Sequence, residues 1–298
     1  MNRVVITGAS GWVGRAMLET LIAKFGQNIL DVVELYGSKE KSITTLSGLN
    51  LKVRPLNTID LKRHVDIFAP LAFLTQEKYG VLGKTEYERI SEEIISIHSK
   101  ILNSTKPNST LYFSSGITST ESEHLSRPES FLRYKELKVV EEKIYKDLIA
   151  YHGGCLITCR LFSMSGRFMA DPMKYALGNF IHQASNKKKI EIYSNKLIYR
   201  KYVLDTDLCT LMLELANHGK SVEFESTGSL VELGDLAFLV AQHFNLSDNK
   251  VTRARIEEPE DRYFSSNSTM DDLFSSAGLR QHPLQEQISM TIQGVKGE

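Results

Sequence analysis

Short apolar runs alternate with longer amphipathic stretches through the first two thirds of the chain. Arg3–Thr7 predicts a strand and Arg15–Phe25 a helix; Asp31–Tyr36, Leu51–Arg54 and Val65–Phe68 predict three further strands. In Thr85–Asn103 the apolar residues Ile90, Ile94, Ile95, Ile97, Ile101 and Leu102 recur at a spacing that suits one buried face of a long helix. Thr110–Phe113 predicts a fifth strand, Phe131–Tyr151 another long helix and Leu156–Leu161 a sixth strand. Strands alternating with helices imply a parallel sheet covered on both faces. Strands that are apolar almost throughout agree, because such a sheet is buried on both sides.

Beyond Gly166 the pattern is irregular. Helical pieces (Met173–Gln183, Leu233–Phe244) mix with short β runs at Ile190–Tyr193 and Val222–Phe224. The expected organisation is a dinucleotide-binding domain over residues 1–165, to which 201–229 returns, and a smaller lobe made of 166–200 and 230–298. Ser119–Glu129 is polar and turn-like and is expected to lie over the site.

Composition narrows the class. The 298 residues are 42% hydrophobic and 24% charged, values of an ordinary globular protein. Lys+Arg and Asp+Glu are 36 each, so there is no surplus of cations to neutralise phosphates and no nucleic-acid partner is expected. No stretch reaches the ~18 apolar residues of a spanning helix, so no membrane partner is expected. Met1-Asn2-Arg3 runs directly into a strand without a leader-like apolar region. Three scattered cysteines, Cys155, Cys159 and Cys209, fit neither a disulfide framework nor a zinc site. The expected compartment is the reducing cytoplasm.

Thr7-Gly8-Ala9-Ser10-Gly11-Trp12-Val13-Gly14 follows a strand and opens a helix. That is the setting of a pyrophosphate cradle. Gly8 allows the sharp turn, Gly11 a close backbone approach, and Gly14 the packing of helix on strand. Ser10, Trp12 and Val13 complete the cradle at the helix start, where N–H groups face negative charge. The end of the second strand selects the dinucleotide. An acid there bonds the ribose of NAD, whereas small polar or basic residues accept the 2′-phosphate of NADP. Tyr36 stands at the acid's position, followed by Ser38 and Lys39, which favours NADP. A register shifted by two would place Glu34 there and favour NAD.

Tyr134 and Lys138 are four apart on a predicted helix and share a face. A lysine beside a phenol lowers its pKa and suits it to proton transfer near neutral pH. Ser114-Ser115-Gly116 lies at the end of the fifth strand, on the edge where open α/β sheets bind ligands. Either serine could hold a substrate oxygen.

With these residues the sequence resembles the extended short-chain dehydrogenase/reductases, specifically the NAD-dependent epimerase/dehydratase group that acts on nucleotide sugars. Gly8, Gly11 and Gly14 match its Gly-x-x-Gly-x-x-Gly. Leu71-Ala72 match its Leu-Ala-Ala segment at the cofactor, with Pro70 replacing His. Ser115, Tyr134 and Lys138 match its catalytic Ser, Tyr and Lys, and Glu141 an acid that follows the lysine. Arg160-Leu161-Phe162-Ser163 is similar to Arg-Leu-Phe-Asn. Asn179 resembles an Asn that contacts the nucleotide diphosphate, Arg200 the Arg that grips it, and Arg262 a second phosphate-binding Arg. Two departures argue against particular relatives. Gly116-Ile117 replaces the Asp-Glu pair of the dehydratases, and Cys155 and Cys159 suit the core rather than the chemistry of the 3,5-epimerising reductases.

The resemblance implies an α/β fold, a Rossmann-type doubly wound parallel sheet with a smaller C-terminal substrate-binding lobe. It implies an enzyme that uses NADP, or NAD, on a nucleotide-sugar substrate. NADP-dependent reduction of a 4-keto sugar is the leading expectation, with a place in surface-polysaccharide synthesis; a 4-epimerase with retained NAD comes second and a non-catalytic dinucleotide-binding protein third. The long helices Thr85–Asn103 and Phe131–Tyr151 correspond to a pair that forms a homodimer interface in that family.

Overall fold

The computed structural model describes residues 3–119 and 128–297. The chain divides into two compact units, Met1–Leu161 with Met212–Phe224, and Phe162–Leu211 with Glu225–Glu298.

In the first unit the elements follow the chain as β1 (Val4–Thr7), α1 (Trp12–Phe25), β2 (Val33–Gly37), β3 (Lys41–Thr44), β4 (Asn50–Pro55), β5 (Ile67–Pro70), α2 (Lys78–Leu82), α3 (Lys84–Thr105), β6 (Ser109–Ser115), α4 (Glu129–His152) and β7 (Cys155–Leu161). In the second unit they are β8 (Ser163–Ser165), α5 (Ala176–Lys187), β9 (Ile190–Ile192), β10 (Ile198–Leu204) and α6 (Asp205–Asn217), whose second half rejoins the first unit. Next comes β11 (Val222–Glu225). Then follow β12 (Ser229–Glu232), α7 (Leu233–His243), β13 (Val251–Arg253), β14 (Asp261–Arg262), α8 (Thr269–Ser276) and α9 (Leu284–Lys296).

Among the described residues the first unit carries an eight-stranded sheet of order β11-β7-β6-β5-β1-β2-β4-β3. From β7 to β4 every pair is parallel. This is the expected doubly wound α/β sheet. Val4, Val5, Ile6, Phe68, Leu111, Tyr112 and Ile157 are buried, as strands covered on both faces must be. One element departs from the sequence pattern. β3 is an antiparallel edge strand whose only buried residue is Ile43, so its polar pattern gives no strand signal. Val222–Phe224, within the stretch expected to return to the first domain, extends the main sheet beside β7. The expected turn over Ser119–Glu129 falls, from 120 to 127, outside the described residues.

In the second unit β12, β10 and β14 form one sheet, with β8 also paired to β10, and β13 pairs β9. Among the described residues no helix is long and apolar enough to cross a membrane.

Arg3 opens β1 with its side chain only 2% exposed. Its Nε and Nη2 donate to Glu34 Oε1 and Oε2 at 3.0 and 2.9 Å, and its Nη1 donates to the carbonyls of Asp60 and Arg63. Burial would push the Glu34 carboxyl up, but hydrogen bonds from Arg3 and Tyr36 outweigh it and hold the group below the usual carboxylate range. Removing one partner of such a pair strands a charge in a poor solvent. Arg3→Met is therefore expected to cost about 3 kcal/mol at pH 7 in denaturant unfolding. Because the folded pKa of Glu34 is depressed, the wild-type pair's contribution is whole above its unfolded value and disappears as pH falls through its folded value. The gap between variant and wild type should close over that acid window.

Candidate active site

The turn from β1 into α1 is built on backbone contact. Gly8 has φ +65°, and a Cβ there would lie 2.6 Å from Leu71 C and O and from Ala72 N. A Cβ at Gly14 would run into the Gly8 carbonyl oxygen and Ala9 Cα. Both positions admit glycine only. Gly11 is exposed and caps α1 without any side-chain hydrogen bond. Close glycine packing beneath and an open helix start above fit a pyrophosphate. Leu71 and Ala72, far away in sequence, are brought against the cradle, and Ala72 N–H donates to Thr7 Oγ1 at 3.2 Å.

At the end of β2 the register is settled by the pairing of Thr7 with Tyr36. Tyr36 is buried and its hydroxyl donates to Glu34 Oε2 at 2.7 Å. Glu34 pairs with Val5 at the start of the strand and is held by Arg3, so it is a structural carboxylate and the alternative register is wrong. Ser38 and Lys39 follow the strand, exposed. The next acid, Glu40, pairs with Lys52 at 3.0 Å.

The proton-transfer candidates also come together in the first unit. Ser115 ends β6, where its hydroxyl accepts from Ile117 N–H at 3.4 Å and lies near enough to the phenol of Tyr134 on α4 to favour its ionised form. Ser114 faces the other way. Its Oγ donates to Glu142 Oε1 at 2.5 Å, an oxygen that Thr118 and Arg160 also reach. Ser114 is thereby committed to Glu142, and Ser115 is not part of that cluster. Lys138 is buried. Its Nζ donates to Glu141 Oε2 at 2.8 Å and sits 3.8 Å from the centroid of the Phe73 ring.

One expectation is reversed. A nearby lysine should lower the phenol of Tyr134, but burial pushes it up to about 12, with Glu141 and Glu77 adding to the rise and the Ser115 hydrogen bond opposing it. The sequence pattern also does not reveal His98. It sits in the apolar stripe of α3, fully buried, between Thr7 and Tyr145. A polar residue inside a stripe of isoleucines is the signal that could have found it.

In the second unit Ser163 lies on β8, opposite Tyr202, and Asn179 in the first turn of α5 accepts from Gln183 at 2.6 Å. Arg200 on β10 bonds Asp261 Oδ2 at 3.0 Å and lies over the Tyr263 ring. Arg262 on β14 is exposed, pairs with Glu260 and lies over the Tyr199 ring. Tyr199 and Arg262 are register partners, so they share one face of the sheet, and Arg200 with Tyr263 takes the other. The two arginines therefore do not converge, which corrects their pairing as joint phosphate ligands.

The sequence profile of the NAD dependent epimerase/dehydratase family matches residues 4–226. The chain belongs to that family. Its members in solved structures share the fold at low identity. The UDP-N-acetylglucosamine 4-epimerase from Methanobrevibacter ruminantium, in complex with UDP-N-acetylmuramic acid, is 16% identical with a TM-score of 0.73, over 99% of this chain and 98% of that one. TunA, a NAD-dependent NDP-hexosamine 5,6-dehydratase of tunicamycin biosynthesis, is 15% identical with a TM-score of 0.74, over 100% and 99%. The UDP-glucose 4-epimerase from Thermus thermophilus, in complex with NAD, is 17% identical with a TM-score of 0.67, over 99% of both chains. No curated protein matches the chain in sequence.

Two glycines separate packing from binding. Gly14→Ala should lower stability by about 1–3 kcal/mol through overpacking, read by chemical denaturation. At Gly11 an added Cβ would lie 3.2 Å from the Gly8 oxygen, a milder contact. Gly11→Ala should keep the melting temperature and weaken dinucleotide binding about tenfold by calorimetry, equivalent to ~1.4 kcal/mol.

Proposed function

We propose that the protein is an NADP-dependent reductase of a nucleotide-linked 4-keto sugar. The observation that carries this reading is the placement of Ser115, at the C-terminal end of β6, near the Tyr134 phenol of α4, one helical turn from Lys138. When bound, the dinucleotide supplies the hydride to the keto carbon. Tyr134 protonates the oxygen that becomes an alkoxide, and a phenol held up to about 12 carries its proton throughout the neutral range. Ser115 donates a hydrogen bond to the same oxygen and stabilises the charge as it develops. Lys138 holds its position on the cofactor side. NADP is favoured over NAD because no free acid closes β2, while Ser38 and Lys39 are exposed behind it. Arg200, with Asn179 and Ser163, is the candidate set for the diphosphate and sugar, since a guanidinium fork matches phosphate oxygens. Arg262 is left out of that set. A cytoplasmic location, where reduced dinucleotide is held, and a role in surface-polysaccharide synthesis belong to the same reading.

A 4-epimerase would use the same residues with retained NAD. The epimerases among the structural relatives favour it, one of them solved with NAD. We also infer a homodimer through α3 and α4, where Val139 and Val140 remain 46% and 50% exposed.

Thermal shifts with NADP and NAD crossed against UDP, TDP, GDP and CDP test the reading. A ligand at 100 times its Kd adds about 2.7 kcal/mol to stability. NADP with one nucleotide should stabilise the protein; stabilisation by NAD alone moves the epimerase to first place. Once that nucleotide is known, Tyr134→Phe should lower kcat by about 10²–10⁴ with its 4-keto sugar, and an unchanged rate sinks both enzyme readings. Light scattering at micromolar concentration should give twice the monomer mass.

A further inference from the structure

Three groups enclose the ammonium of Lys138. Its Nζ donates to Glu141 Oε2 at 2.8 Å and to the backbone carbonyl of Phe113 at 3.5 Å, and the Phe73 ring lies over it with the centroid 3.8 Å away. The lysine side chain is left 5% exposed. An ammonium has three donors, so a ligand atom can bond Lys138 only by replacing one of these partners.

Two of the partners are fixed. Glu141 is completely buried and also accepts from Tyr112 and Tyr145, so parting it from Lys138 strands a carboxylate away from water. The Phe113 carbonyl belongs to β6, inside the sheet. Phe73 differs. It is half-buried, in the stretch without regular structure that follows β5. Its ring meets Tyr134 edge-on, with centroids 5.9 Å apart at 72°, and packs against the apolar cluster of Tyr87, Ile95 and Leu137. The backbone is tied on either side of it: Ala72 N–H donates to Thr7 Oγ1, and the Leu74 carbonyl accepts from the Tyr87 hydroxyl at 3.2 Å. With both neighbours held, the ring moves by turning about its own Cα–Cβ bond between staggered rotamers, not by a shift of the chain.

The sheet gives that motion a use. The strand order β6-β5-β1 puts the segment leaving β5 between the cradle at the end of β1 and Ser115 at the end of β6. Two strand spacings separate those ends, ~10 Å, which an extended dinucleotide spans. A ligand that starts on the cradle and reaches towards Ser115 and Tyr134 passes Leu71 and Ala72 and then meets Phe73.

We propose that Phe73 is a gate of the candidate site: in the free protein its ring caps the Lys138 ammonium, and a dinucleotide extending from the cradle turns the ring aside and sets one of its own oxygens against Lys138. This rests on the dinucleotide reading of the cradle. Opening exchanges a cation–π contact for a charge-assisted hydrogen bond, so the buried ammonium keeps a third partner throughout. The closed ring lowers the apparent affinity, because only the open form accepts the whole ligand.

The test uses the whole chain with ¹³Cε-lysine NMR, the Lys138 resonance being assigned by its loss in Lys138→Arg. The Phe73 ring current should hold the Lys138 ε-methylene protons upfield of those of the exposed lysines. Phe73→Leu, which keeps an apolar side chain on Tyr87, Ile95 and Leu137, should return them to the ordinary position. In the wild type NADP, or NAD if that is the one that binds, should do the same. The matching half-ligand, 2′,5′-ADP or ADP, ends at the cradle and should not. By calorimetry Phe73→Leu should bind the dinucleotide about tenfold more tightly than the wild type and the half-ligand equally well, whereas Phe73→Tyr, which keeps the ring face, should bind both as the wild type does. If Lys138 stays shielded with the dinucleotide bound, or if Phe73→Leu binds it no more tightly, the gate is overturned. The NMR comparison of free and bound wild type decides the matter even where a variant does not fold. If neither NADP nor NAD binds the wild type, the dinucleotide reading falls and the gate with it; binding with Lys138 still shielded overturns the gate alone.

Discussion

A carboxylate removed from water must be met by donors, and in this protein that requirement binds three elements together. Glu141 draws Tyr112 from β6, Lys138 and Tyr145 from α4 and, through Tyr145, His98 from α3. An unpaired buried charge costs several kcal/mol, so none of these partners can drift without penalty. The surrounding core is aromatic, with Tyr112 and Tyr145 edge to face at 4.8 Å and Phe68 against His98 at 5.8 Å. The apolar groups fill the volume; the polar ones set the register in which α3 and α4 lie on the sheet.

The same string reaches the cradle. Thr7 closes β1 and accepts from Ala72, and the next residue, Gly8, lies directly against Leu71 and Ala72. Strand ends, helix start and lysine are thus fixed relative to one another by contacts that leave no slack. A site that positions bound groups for reaction needs that order, because a misplacement of about 1 Å can cost ~10²-fold in rate. A second carboxylate, Glu142, does parallel work next door. It gathers Ser114, Thr118 and Arg160, while the next serine, Ser115, stays outside that cluster.

Family and sheet were legible from local signals. Glycines at 8, 11 and 14 after a strand, and Tyr134 with Lys138 on a helix, are short-range patterns whose chemistry admits few alternatives. The strands of the first unit announced themselves because burial on both faces demands continuous apolar runs. β3 did not, since an edge strand with one buried residue has no such demand. Val222–Phe224 read as a strand but not as a neighbour of β7, because pairing across some sixty residues leaves no local trace.

By itself the sequence determined the fold class and the family, since these follow from spacing along the chain. What each residue does to the others was decided only by the tertiary structure. Under a shifted register Glu34 reads as a cofactor acid until Arg3 claims it, Arg200 and Arg262 read as a pair until the pleat sends them to opposite faces, and Lys138 reads as a free cation until Glu141 meets it. The reason is common to all three. Charge interactions depend on distance and burial, and both are properties of residues that the fold, not the sequence order, makes neighbours.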